Sequence, residues 1–265
     1  MAKTMRWLSR SALVAAVVGG AACDDATSIE SLEDALVIDA AMVAADATIE
    51  EARMWRQPFL FGSAPAVRAP GSETHSTAQS GGQRMWSGSL ERSRSVVFFD
   101  EGGVEQDAYD ALTTAEIHLD HSVSGVIQRE RFSAEIDRER SMVVSGLAGE
   151  ESTRTWNGEA QSSMARSGVM EDGTERSHSM QGSASYSDVV VPIPGTTPRY
   201  PLSGMIERSM TMTRTTPDGT ATREVSVLIT FNGSQYADAI VNGEAIEIDL
   251  AAQDGRRPFR RKRGG

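Results

Sequence analysis

Cysteine is almost missing from this chain: Cys23 is the only one in 265 residues. A single thiol excludes any internal disulfide, and in an oxidising compartment it mispairs unless something consumes it. Lysine is scarce too, with Lys3 and Lys262 alone. The folded part therefore takes its positive charge from arginine. Leu, Ile, Val and Phe make up only about 19% of the residues, close to the level at which chains stop folding. The core must be modest, with methionine filling part of it. Past the first 22 residues no apolar run approaches the roughly 20 residues of a helical membrane span. A Gly-x-Ser-x-Gly elbow and a glycine-rich loop ending in Lys-Ser or Lys-Thr are both absent, so no motif points to a serine nucleophile of that type or to a P-loop. Nothing in the sequence calls for a cofactor or a metal.

The formal charge is -11. Three cations precede residue 23 (Lys3, Arg6, Arg10), and six close the chain (Arg256, Arg257, Arg260, Arg261, Lys262, Arg263). Setting those nine aside leaves residues 23–255 near -20. A body so acidic repels nucleic acid.

Residues 1–22 read as an address. Met1–Arg10 is short and basic, Ser11–Val18 is apolar, and Gly19–Ala22 is small, the three zones of a secretory signal peptide. Gly20-Ala21-Ala22-Cys23 resembles the lipobox of bacterial lipoproteins. That resemblance implies lipidation at Cys23, which would consume the lone thiol and hold the mature protein to the cell envelope, at the outer membrane or the periplasmic face of the inner one.

Beyond Cys23 the pattern changes twice. Ile29, Leu32, Leu36, Ala40, Val43 and Ala47 recur at three- and four-residue steps, which predicts a helix over 27–55,. Thr27 or Ser28 caps its start, and Asp34, Asp46, Glu50 and Glu51 wet its other side. Packing on a neighbouring domain suits this helix better than standing free as a spacer. Residues 62–83, rich in Gly, Ser, Ala, Pro and Thr and containing His75, read as a flexible linker,.

From residue 84 to 251 the period becomes two. Val225, Val227, Ile229 and Phe231 alternate with Glu224, Ser226, Leu228 and Thr230. Asn232-Gly233 and Asn242-Gly243 supply hairpin turns, and Pro217-Asp218-Gly219 joins a strand near 204–215 to one near 221–231. Asn157-Gly158 and Asp172-Gly173 predict further turns. The economical topology is mainly β: an antiparallel meander forming a curved sheet, half-barrel, barrel or sandwich, with one N-terminal helix. In a strand near 126–143, Arg129, Arg131, Ser133, Glu135, Asp137 and Glu139 share a wet side, where Arg and Glu of neighbouring strands could pair. Ser87-Gly88-Ser89-Leu90-Glu91-Arg92, Ser124-Gly125-Val126-Ile127-Gln128-Arg129 and Ser203-Gly204-Met205-Ile206-Glu207-Arg208 form a weak repeat, each predicted to open a strand. Residues 252–265 read as a basic disordered tail.

Tyr109–Ala115 and Phe231–Tyr236 are similar to segments of uncharacterised exported bacterial lipoproteins, a resemblance that implies an envelope β-protein and carries no active site. Candidates for chemistry are few. His118, Asp120 and His121 are the best catalytic-looking cluster; on a strand the first two share a face and the third points away. Trp86 and Trp156 could stack on sugars but suit a core. The expectation is a noncatalytic envelope lipoprotein that touches the membrane through its N-terminal lipid and binds or supports an envelope partner. The alternative is a carrier of a hydrophobic ligand, with Met205, Met210 and Met212 as adaptable contacts. An envelope hydrolase built on the histidine cluster comes third.

Overall fold

The computed structural model describes residues 23–56, 87–129, 132–149, 152–169, 173–193, 195–252 and 258–261, the side chains of 23–33, 87–88, 129 and 261 apart. One helix, α1 (Cys23–Trp55), precedes eleven strands: β1 (Ser87–Asp100), β2 (Glu105–Gln106), β3 (Thr114–Arg129), β4 (Phe132–Ser145), β5 (Thr153–Val169), β6 (Glu175–Pro192), β7 (Ser203–Thr216), β8 (Gly219–Thr230), β9 (Tyr236–Val241), β10 (Glu244–Asp249) and β11 (Phe259–Arg261). They form a single curved, open sheet in the order β11-β10-β9-β8-β7-β6-β5-β4-β3-β1-β2. Every pairing is antiparallel. The predicted meander is therefore the fold, as a curved sheet.

Side-chain alternation assigns the two faces. Phe98, Ile117, Val144 and Trp156 lie in one cross-strand row and are buried. Val96, Met142, Tyr186, Ile206 and Ile229 continue that inner face through neighbouring rows. The helix covers it, packing chiefly on β7 and β8. Its buried stripe runs Leu36, Ala40, Ala44, Thr48, Ala52 and Trp55, the i, i+4 spacing of one helical side. Thr48 satisfies its hydroxyl by donating from Oγ1 to the Ala44 carbonyl at 2.7 Å. Trp55 locks the helix end, with ring centroids 6.1 Å from Trp156 and 5.9 Å, edge-on, from Phe231,. Trp156 is thus a core residue; Trp86 lies outside the described residues, as do the predicted linker and His75.

Curvature needs points where adjacent backbones approach closely. At Gly125 (φ +147) a Cβ would sit 2.0 Å from the Ser89 carbonyl oxygen, and at Gly204 (φ +101) 2.3 Å from that of Asp188. Both are second residues of the Ser-Gly repeat, which places bends where the sheet curls.

Several expectations are corrected. Ser124-Gly125 lies within β3 and does not open a strand, unlike Ser87 and Ser203. The strand placed near 126–143 is two: β3 ends at Arg129 and β4 starts at Phe132. Asn157-Gly158 is a bulge inside β5, where the register shifts between Trp156 and Gly158 and Asn157 Oδ1 accepts the Asp188 amide at 2.7 Å,. Asn242-Gly243, by contrast, forms the expected tight hairpin, both residues at positive φ (46° and 89°). The tail expected to be disordered contributes β11. Phe259 buries beside Ile248, while Arg260 Nε donates to Glu247 Oε2 at 2.7 Å and its guanidinium lies 4.7 Å from the Tyr236 ring centroid.

Candidate functional site

The sheet segregates its charges by face. Register puts Arg92, Arg94, Arg138, Arg140, Arg166, Arg176, Arg208, Arg214 and Arg223 at inner-face positions. Glu91, Glu116, Asp120, Glu135, Asp137, Glu139, Glu159, Glu207 and Glu224 take outer-face positions among serines and threonines. On β4 the predicted sharing of one wet face by Arg and Glu is corrected: Arg138 and Arg140 stand at even and Glu135, Asp137 and Glu139 at odd positions, which sends them to opposite sides,. Arg131 lies outside the described residues.

A carboxylate from the helix meets two of the inner arginines. Glu51, 1% exposed, sits on the buried stripe seven residues after Ala44 and four before Trp55. It was read as a solvated residue, yet it is the hub of the interior. Arg208 Nη2 donates to its Oε2 at 2.6 Å and Arg140 Nη2 to its Oε1 at 3.1 Å. The Tyr186 hydroxyl donates to Oε1 as well. Both guanidinium carbons stand 5.9 Å from the Tyr186 ring centroid, within cation–π range. Burial, reinforced by the Glu51 charge, pushes the Tyr186 phenol up to about 12,. Burial also works against the Arg208 charge, but Glu51 and Tyr186 outweigh it and hold that guanidinium above its ordinary range. The sequence held a signal for this: an acid on the apolar stripe must meet a cation in the core.

Beside this cluster lies a cavity of about 450 Å³ between α1 and β3–β7. It exists because the facing residues are small. Ala160, Ser162, Gly182 and Ala184 look across at Val43, Ala44 and Ala47. Met164, Met180 and Met210 supply an adaptable apolar wall, and His121, Arg138, Arg140 and Arg208 line the polar end,. Its size falls in the range of small-molecule sites. Arg208 Nε is buried without a hydrogen-bond partner among the described residues.

The histidine cluster comes apart. His118 and Asp120 lie on the outer face, His121 on the inner one. His118 Nε2 is 2.6 Å from Glu116 Oε1, and its ring centroid lies 4.7 Å from that of Phe99, tilted by 52°. His121 instead joins the arginines: burial first, then Arg140, Arg94 and Arg92, lowers its pKa below the usual imidazole value. Among the described residues, no three His, Cys, Asp or Glu side chains converge as metal ligands would. Met210 and Met212 are core residues, whereas Met205 is exposed on the outer face. Cys23 opens α1, and its side chain lies outside the described set. No described helix is long and apolar enough to cross a membrane.

No protein-family model, no curated protein and no solved structure matches this chain.

Proposed function

We propose that this chain is a noncatalytic lipoprotein of the bacterial cell envelope, tethered through a lipid on Cys23, whose curved sheet carries a hydrophobic ligand beneath α1. The observation that carries the reading is the cavity of about 450 Å³ walled by Val43, Ala47, Met164, Met180 and Met210. Ligand sites of this kind are concave, mostly apolar and fitted with a few placed polar groups. The tether rests on the signal-like leader that ends at the lone thiol.

Two measurements test the parts separately. Organic extraction of the purified protein followed by mass spectrometry should release an apolar molecule, and Ala160→Phe, which fills the cavity, should abolish its recovery. Absence of any such molecule, together with no uptake of a fluorescent fatty acid, overturns the carrier role. Cys23→Ser should leave an unprocessed, unlipidated precursor; normal maturation and membrane association of that variant would remove the tether.

A further inference from the structure

Resting on the carrier reading, we infer that the ligand is a single-chain amphiphile with an anionic head, its chain under α1 and its head at the polar end lined by His121 and Arg138, with Arg94 opposite His121 on the neighbouring strand. The argument begins with the register. Two consecutive cross-strand rows on the inner face read Arg94–His121–Arg140 and Arg92–Val123–Arg138. Within each row the two arginines stand two strands apart, roughly 10 Å, with His121 between one pair and Val123 between the other. Four guanidinium groups thus ring one small area, and an anion placed among them gains from all four at once.

The protein's own anions do not fill that role. Among the described basic side chains, Glu51 pairs with Arg140 and Arg208. No described acid lies within ion-pair distance of Arg92, Arg94 or Arg138. Asp46 and Glu50 line the helix side of the cavity without reaching these three. Deeper in, Arg208 offers an Nε–H donor that nothing in the described chain accepts; a buried donor of this kind is costly to leave unmade. Burial first, and then Arg140, Arg94 and Arg92, lower the pKa of His121, so the arginine field is felt there as well. Next to the arginines the walls turn apolar, with Val123, Met164 and Met210 leading under Val43 and Ala47. A charged end followed by a flexible apolar length matches that order of surfaces.

Binding of four twelve-carbon probes to the full chain, at concentrations below micelle formation, tests the inference: dodecanoate, dodecyl phosphate, dodecanol and dodecyltrimethylammonium. Either anion should bind at least about tenfold tighter than the alcohol, the worth of one charge-assisted contact, and the cation weakest of all. The anion of higher affinity identifies carboxylate or phosphate as the head. Arg94→Gln with Arg138→Gln, both at exposed positions, should lower anion affinity by about tenfold or more while leaving dodecanol affinity unchanged and the melting temperature no lower. Equal binding of dodecanol and the anions would overturn the anionic head and leave the carrier reading standing. Failure of every probe to bind would overturn both.

Discussion

Arg208 Nη2 donates to Glu51 Oε2 across 2.6 Å, although 157 positions separate the two residues in the chain. The contact ties α1 to β7 in the interior, beside the cavity. It means the helix is held by charge as well as by its alanine stripe.

Removing that carboxylate leaves two guanidinium groups in the core without their counter-ion. Glu51→Ala should destabilise the protein by about 3–5 kcal/mol, measured by urea unfolding. Glu51→Leu combined with Arg208→Leu should recover part of the loss, because the more deeply buried charge is then gone with its partner. A stability change under about 1 kcal/mol for Glu51→Ala would mean that the pair is solvated.

Tyr186 makes an alkaline prediction. Its folded pKa of about 12 exceeds the ordinary value of 10, so folding favours the protonated phenol. The associated stability is full below pH 10 and is lost as the pH rises toward 12. Ultraviolet titration of Tyr186→Phe should lack the latest-ionising tyrosine, and that variant should show a flatter loss of stability above pH 10.

At acid pH the relevant groups are His121 and His178. Burial is the first cause of lowering in both; for His178, Asp39 opposes it while Arg214 and Arg166 assist. A folded pKa below the unfolded value means that the unfolded chain binds protons first. Stability is therefore full above pH 6.5 and declines as the pH falls below it. Replacing both histidines by asparagine should flatten the melting temperature between pH 7 and pH 5; an unchanged slope would assign the acid dependence to other groups.

Gly125 sets the curl of β3 against β1. Gly125→Ala forces a Cβ against the Ser89 carbonyl oxygen at an unfavourable φ, and should cost about 1–3 kcal/mol in chemical denaturation. Gly103, at φ +75 with nothing within 4 Å of an added Cβ, is the comparison that isolates the close approach from the backbone angle.

Much of the architecture was legible because it is local. Alternation through Val225, Val227 and Ile229 and the Asn242-Gly243 turn specify a hairpin whatever else the chain does. The three-four spacing around Leu36 and Ala40 does the same for α1. What was not legible is long-range. Glu51 stands four residues after Ala47 on the apolar stripe, but its partners Tyr186, Arg140 and Arg208 come from strands about 90 to 160 positions away. The cavity is hidden for the same reason, since Ala160 and Gly182 become walls only when α1 is laid across them. His118, Asp120 and His121 misled in the opposite sense: adjacency along a strand separates side chains, and only His121 reaches the site.

The sorting of arginines to one side of the sheet and carboxylates to the other polarises the single layer of backbone between them, while Asp34, Asp39, Asp46 and Glu50 of α1 offset the positive side from beyond the helix. The field is therefore concentrated between helix and sheet, where screening by salt is weakest, and not projected toward a distant surface.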